Sequence, residues 1–267
     1  MALQQRHLRQ FISTSSLLSL ARVAGAAAGF ATQILLARTL QASALGIFYS
    51  VISLAAVMGV VAALGYPEIA SRFVSRYRDK GPKGLLPAFV NHARTSTAVC
   101  AAIATVAVLA FAAFWPGIAL EARLATAAAA IAILANAALR FNGALAASFR
   151  KFELAYLPDT SIWPFLWLAC LLLLVALGTP LTALLAIALL TLIFIVLAVV
   201  QYRLLLRAVP QTEERTGQAS LRFVRIWRGE APPLILVALY MFFFADVDIL
   251  WSRRLCPARK RRSSACA

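Results

Sequence analysis

The sequence predicts an all-α membrane protein, a polytopic bundle of about seven transmembrane helices. Of its 267 residues, 62% are hydrophobic and only 13% are charged, and the mean hydropathy is +0.83. A soluble domain is typically about 45–50% apolar and about 25% charged, so this chain could not cover a surface that faces water. Its apolar residues also fall in runs of about 20, the length at which a helix crosses the hydrocarbon core.

Seven apolar runs define the predicted spans. They are Leu17–Ala37, Leu45–Tyr66, Thr97–Trp115, Arg123–Ala147, Thr160–Leu177, Leu181–Tyr202 and Pro232–Trp251. Turn-forming residues mark several of the boundaries, among them Pro67 after the second run and Gly178-Thr179-Pro180 between the fifth and the sixth. The first run is long and has no convincing cleavage site after it, so we predict a retained helix and not a signal peptide.

The runs also predict how the chain is organised. A cytoplasmic amino-terminal segment (1–16) precedes a six-helix membrane domain (17–202). A basic cytoplasmic loop (203–231), a seventh transmembrane helix (232–251) and an atypical basic tail (252–267) follow.

The orientation follows from the distribution of Lys and Arg. With the amino terminus in the cytoplasm, the inner connections hold sixteen of these residues and the outer connections hold only Arg38 and Arg123. This is the bias of the positive-inside rule. The tail contradicts it, because Arg253, Arg254 and the basic run 259–262 follow a seventh span and should lie outside. A half-size protein with an odd tail and a shifted reading frame both explain this, and we favour the shifted frame.

The candidate functional residues are polar or ionisable side chains inside the spans, where they are costly. Arg22 either snorkels to the cytoplasmic interface or contacts an anion in a cavity. Asn136 and Arg140 are one helical turn apart and therefore on one face of the helix. Either this face avoids lipid, or both residues lie at the inner end of a tilted helix. Asp246 is either an ion-coupling carboxylate or an ordinary interface residue. Gly25 begins a GxxxG pattern with Gly29, which predicts close helix packing.

Several other classes of protein are excluded or disfavoured. The net charge of +16 is spread over the connections and does not form one basic domain, so nucleic-acid binding is not predicted. There is no Gly-rich phosphate loop, HExxH motif or nucleophile elbow, so we predict that the chain is not an enzyme. Four cysteines without CxxC spacing and only two histidines predict no metal site and no cofactor.

Five segments carry a resemblance to a known family. Residues 21–40 resemble the first helix of bacterial polysaccharide flippases, which belong to the multidrug/oligosaccharidyl-lipid/polysaccharide exporter superfamily. Residues 44–50 resemble the start of their second helix, and 63–74 its cytoplasmic exit. Residues 149–155 are similar to the basic turn after their fourth helix, and 245–250 to their seventh helix. The resemblance covers roughly residues 15–250.

The resemblance implies the amino-terminal lobe of a two-lobed flippase plus one helix, in the bacterial inner membrane. Such a protein would flip a lipid-linked oligosaccharide, a glycan on polyprenyl pyrophosphate, for cell-surface polysaccharide biosynthesis. Arg22 would contact the pyrophosphate, Arg140 and Asn136 would assist, and Asp246 would couple an ion. Membrane lipids surround the chain, and a second copy or a missing carboxy-terminal half would complete the cavity. The alternatives are a drug or toxin antiporter of the same superfamily, a peptidoglycan-precursor flippase, a non-transporting scaffold and an inactive fragment.

Overall fold

The computed structural model describes residues 2–80, 84–114, 119–208, 221–241 and 243, and these ranges contain helices and no strand. The helices are α1 (Ala2–Thr39), α2 (Ala42–Ala62), α3 (Tyr66–Lys80), α4 (Leu85–Phe114), α5 (Leu120–Ser148), α6 (Phe152–Leu157), a π-helix (Pro158–Ile162), α7 (Trp163–Ala176), α8 (Ala183–Ala208) and α9 (Leu221–Glu230). Residues 233–241 are also helical.

Six helical segments in these ranges are long and apolar enough to cross a membrane. They are Leu18–Thr39, Ala42–Arg78, Leu85–Phe114, Leu120–Ser148, Phe152–Ala176 and Ala183–Ala208. The prediction of an all-α bundle is therefore confirmed, and the chain is a multi-pass membrane protein. The predicted seventh span begins with the helical residues 233–241, and its remainder from residue 244 lies outside the described residues, as do Asp246 and the basic tail.

The centre of the bundle is α5, which packs against α2, α3, α4 and α8. Its contact faces consist largely of alanine, and the small side chains let neighbouring backbones approach closely. The fully or nearly fully buried alanines of α5 are Ala125, Ala129, Ala130, Ala132, Ala137 and Ala146. Hydroxyl groups also link the helices, because Thr105 of α4 donates to the carbonyl of Ala130 at 3.1 Å and Thr191 of α8 to that of Ala128 at 3.3 Å.

The continuous segment α6–π–α7 contains two prolines, each of which removes one backbone donor from the helix. Pro158 has no N–H for the carbonyl of Leu154, and the side-chain amide of Gln201 donates to that carbonyl at 3.0 Å instead. Both this contact and the π-helix show how the segment tolerates proline in the membrane.

α1 packs mainly against this segment and not against α5. Ser161 of the π-helix donates a hydrogen bond to the carbonyl of Ala21 at 2.6 Å. The carbonyl of Thr160 occupies the space where a Cβ on Gly25 would lie, whereas nothing lies within 4 Å of a Cβ built on Gly29. The predicted close packing is therefore found at Gly25 and not at Gly29.

After α2, the amphipathic helix α3 buries Ile69, Phe73 and Tyr77. Phe73 and Tyr77 pack on Phe89 of α4, and Tyr77 also packs on Trp227 of α9. An ion pair of 2.9 Å between Arg72 and Glu230 also joins α3 to α9. The apolar face of α3 is therefore covered by protein.

Two helices begin well before the predicted spans that they contain. α4 begins at Leu85, whereas the predicted span begins at Thr97, and the helical segment of the fifth span begins at Phe152, whereas the predicted span begins at Thr160. In both places polar residues that precede the apolar run belong to the same continuous helix.

Candidate functional site

The outward face of α2 carries a row of small polar residues. The buried residues of α2 are Phe48, Val51, Ala55, Gly59, Val60 and Ala62. The opposite side of the helix carries Ser43, Gly46, Ser50 and Ser53 at intervals of three and four residues, and all four are exposed. At 100° per residue they form one stripe that points directly away from the core. We call these four residues the α2 polar stripe.

The hydroxyl groups of the stripe have no hydrogen-bond partner among the described residues. Elsewhere in the bundle, hydroxyl groups bond to the carbonyl one helical turn back, as Thr32, Thr39, Thr126 and Ser148 do. Ser43, Ser50 and Ser53 do not make this bond. An unpaired hydroxyl in an apolar environment costs about 1–3 kcal/mol, so the stripe is suited to water or to a polar partner and poorly suited to lipid.

The outward faces of α4, α7 and α8 are more apolar, although α2 also exposes Tyr49 and Leu54 beside the stripe. The large apolar side chains that are exposed on α4, α7 and α8 include Val99, Ile103, Val106, Phe165, Leu172, Leu173, Leu192, Val196 and Val200. These faces are the ones that lipid tails would solvate. From Ser43 to Ser53 the α2 polar stripe is about 15 Å long, roughly half of the hydrocarbon thickness. The α2 polar stripe is therefore a row of small polar residues on a surface whose other exposed residues are largely apolar.

Arg22 of α1 is exposed and makes no hydrogen bond or ion pair within the described ranges. α1 turns Gly25, Ala28, Thr32 and Leu36 inward. Arg22 lies on the flank of this buried face, and Gly29 and Gln33 follow it on the same flank, within about 40° around the helix. The flank thus combines a cation, an open glycine and an exposed amide, while Phe30 and Ile34 form an apolar sector beside it. The exposed guanidinium is accessible to an anion, and it is equally able to reach the interface.

Asn136 takes part in the packing of α5 on α2. Its side-chain amide donates to the carbonyl of Ala132 at 3.1 Å. Its Cβ would lie 2.9 Å from a Cβ added at Gly59, so the two helices meet closely at this point. Asn136 is half-buried, and its contacts give it a structural role at this interface.

Arg140, one turn further along α5, is exposed and interacts electrostatically with the carboxylate of Glu68. Glu68 lies in the first turn of α3, where a negative charge also interacts favourably with the helix dipole. The structure therefore places Asn136 and Arg140 together at the junction of α2 and α3. It places Arg22 on a different side of the bundle, on α1.

Sequence reasoning missed the α2 polar stripe and the proximity of Glu68 to Arg140. The stripe did leave a signal in the sequence, the recurrence of Ser or Gly at 43, 46, 50 and 53 within an apolar run. The Glu68 contact left none, because it depends on how α3 folds back onto α5. Asp246 lies outside the described residues, within which no group of three or more His, Cys, Asp or Glu side chains is placed to hold a metal ion.

Comparisons with protein-family models, with curated proteins and with solved structures found no match to this chain. The function of the chain therefore has to be inferred from its residues and their geometry.

Proposed function

We propose that the chain translocates a lipid-linked oligosaccharide across the bacterial inner membrane, with the α2 polar stripe lining the path of the glycan. The observation that carries this proposal is the exposure of three unpaired serine hydroxyls on the outward face of a membrane-spanning helix. A glycan is rich in hydroxyl groups and loses its water when it enters the membrane. Hydroxyl groups along the path offer it both donors and acceptors at each level of the bilayer.

The charged residues suit the other end of such a substrate. A pyrophosphate carries negative charge into the inner half of the membrane, and a guanidinium binds phosphate oxygens in bidentate fashion. Arg22 is exposed in the inner part of α1 and has the required access. Arg140 lies near the inner end of α5 beside Glu68, where it would meet the headgroup at entry. The polyprenyl tail stays in lipid, along the apolar outward faces of the bundle.

A path along α2 needs a second wall, because within the described structure the stripe faces away from its own bundle. In the two-lobed arrangement that the family resemblance implies, a second lobe faces the first across the cavity, and alternating access rocks the two lobes about it. A second copy of this chain or further helices would supply that lobe.

The test is a translocation assay in vesicles that contain the full chain and a fluorescent oligosaccharide on polyprenyl pyrophosphate. A membrane-impermeant reductant reports how much of the fluorophore reaches the outer leaflet. We expect Ser50→Leu combined with Ser53→Leu to slow translocation by roughly tenfold or more, because each lost hydrogen bond is worth about 1 kcal/mol. Ala107→Leu combined with Ala110→Leu is the matched control, since it adds similar bulk to the exposed face of α4.

Equal slowing in the serine and the alanine variants would show that the stripe has no special role. Absence of translocation by the unmodified chain would overturn the proposed function itself. Transport of a lipophilic cation without transport of the oligosaccharide lipid would favour the drug or toxin antiporter.

A further inference from the structure

A cleft of about 250 Å³ lies between the amino-terminal half of α4 and the carboxy-terminal halves of α5 and α8. We infer that this cleft binds an anionic phospholipid, with the phosphate at its polar end and an acyl chain along its apolar part. The inference does not depend on the translocation path, since the cleft is separate from the α2 polar stripe and is formed by other helices.

The polar end of the cleft is formed around Arg94. The Cζ of Arg94 lies 4.7 Å from the centre of the Tyr202 ring, a cation–π contact that holds the guanidinium between α4 and α8. The Nε of Arg94 is buried and has no hydrogen-bond partner within the described ranges. The side chain is therefore fixed in position with hydrogen-bonding capacity unused.

Two buried polar side chains line the same cleft. Thr97 is 3% exposed and its hydroxyl has no partner among the described residues, while Asn142 is 4% exposed and makes no side-chain hydrogen bond within them. Buried polar groups are nearly always paired, and leaving one unpaired costs about 1–3 kcal/mol. Thr105 and Thr191 are paired across the same helix interfaces. Elsewhere in the described residues the Nε of Arg123 and the Oε1 of Gln201 are also buried without a partner, but only singly, whereas Arg94, Thr97 and Asn142 line one cleft together.

The rest of the lining is apolar and opens sideways. Ala98, Leu134 and Val199 line the cleft and are themselves exposed on the outer surface of the bundle. A molecule can therefore enter laterally from the bilayer. The volume is several times the roughly 30 Å³ that one water occupies, and water is poorly accommodated against an apolar wall. An elongated molecule with one polar end matches this lining better than water does.

The chemistry of the polar end selects a phosphate. A guanidinium, a hydroxyl and a carboxamide all donate hydrogen bonds, and phosphate oxygens accept several of them at once. No carboxylate lines the cleft to neutralise Arg94. A headgroup with net negative charge is therefore preferred over a zwitterionic one, as for other basic pockets between membrane helices on the cytoplasmic side.

The experiment is native mass spectrometry of the full chain, purified and mixed with dioleoylphosphatidylglycerol or with dioleoylphosphatidylcholine. We expect one phosphatidylglycerol to be retained in preference to phosphatidylcholine, and Arg94→Gln to weaken its binding by roughly tenfold through loss of a charge-assisted contact. Arg203→Gln is the matched control, because Arg203 is next to Tyr202 in the chain, is exposed, and does not line the cleft.

If phosphatidylglycerol binding weakens equally in the Arg94 and Arg203 variants, the protein attracts anionic lipid generally, and the proposed site is wrong. Equal retention of the two lipids, no retention of either, or displacement by millimolar inorganic phosphate would also overturn it. If Arg94→Gln does not fold, Thr97→Val decides, because it preserves shape and charge. It should weaken phosphatidylglycerol binding without lowering the melting temperature, and unchanged binding would contradict the inference.

Discussion

Gly25→Ala is expected to separate α1 from the α6–π–α7 segment and to lower the free energy of unfolding by about 2–3 kcal/mol, as overpacking of a close interface does. The carbonyl of Thr160 fills the space that the new methyl group needs. A backbone carbonyl cannot rotate away as a side chain can, so the helices must move apart. That movement would also break the hydrogen bond from Ser161 to the carbonyl of Ala21.

Gly29→Ala is the matched control for this prediction. It makes the same chemical change one turn later on the same helix, where nothing lies within 4 Å of the added atom. Since alanine is the better helix former by about 1 kcal/mol, this variant should be neutral or slightly stabilised. The midpoint of unfolding by sodium dodecyl sulfate in mixed micelles measures the stability of both variants. Equal midpoints for the two variants would contradict the close contact at Gly25.

Trp227→Ala is expected to detach α9 from α3 and α4, with a loss of about 3–5 kcal/mol, the usual range for truncating a large buried aromatic side chain. Trp227 is fully buried. Its ring centre lies 5.3 Å from that of Phe89 and 5.6 Å from that of His92. Its indole N–H donates to the hydroxyl of Tyr77 at 2.9 Å, so the substitution also leaves a polar group unpaired.

The rate of trypsin cleavage after Arg225 and Arg228 reports whether α9 is attached. Cleavage should be much faster in Trp227→Ala than in the unmodified chain, because a protease needs locally unfolded backbone. Ile226→Ala is the control, as Ile226 is the neighbouring residue and is 39% exposed. If Trp227→Ala is cut no faster than Ile226→Ala, then α9 is held by other contacts, such as the ion pair between Arg72 and Glu230.

The sequence was sufficient to predict the six helices that are long and apolar enough to span a membrane, because a bilayer imposes length and apolarity on each helix separately. The sequence was less informative about helices that carry many polar residues and are covered by other parts of the protein. Asn91, His92 and Arg94 suggested a connection before the third span, yet α4 continues through them because α3 and α9 cover Phe89 and its neighbours. Ile69, Phe73 and Tyr77 recur every four residues and form the apolar face of α3, but the residue that covers this face, Trp227, lies 150 residues away from Tyr77.

The candidate site was predictable only in part, for a similar reason. Arg22 and Arg140 could be identified as costly charges in apolar runs, and both are exposed in the structure. Whether they converge depends on helix packing, and α1 lies against α7 while Arg140 lies beside α3. The packing of Asn136 on Gly59 also joins distant parts of the chain. The spacing of its residues was sufficient to predict that the α2 polar stripe lies on one face of a helix. Only the structure shows that this face points outward, as the apolar faces of α4, α7 and α8 do.

The most direct test of the account is whether water reaches the outward face of α2. Single cysteines replace Ser50 or Ser53 in a chain whose native cysteines are alanine, and a membrane-impermeant maleimide is applied to vesicles. Val106→Cys and Ile103→Cys are the controls. Both residues are exposed on α4, and they lie as far from its carboxy-terminal end, Phe114, as Ser50 and Ser53 lie from the amino-terminal end of α2, Ala42. Because only a hydrated thiol ionises and reacts, we expect modification on α2 to be at least roughly tenfold faster. Equal, slow modification on both helices would mean that the α2 polar stripe faces lipid, and the proposed path would be wrong.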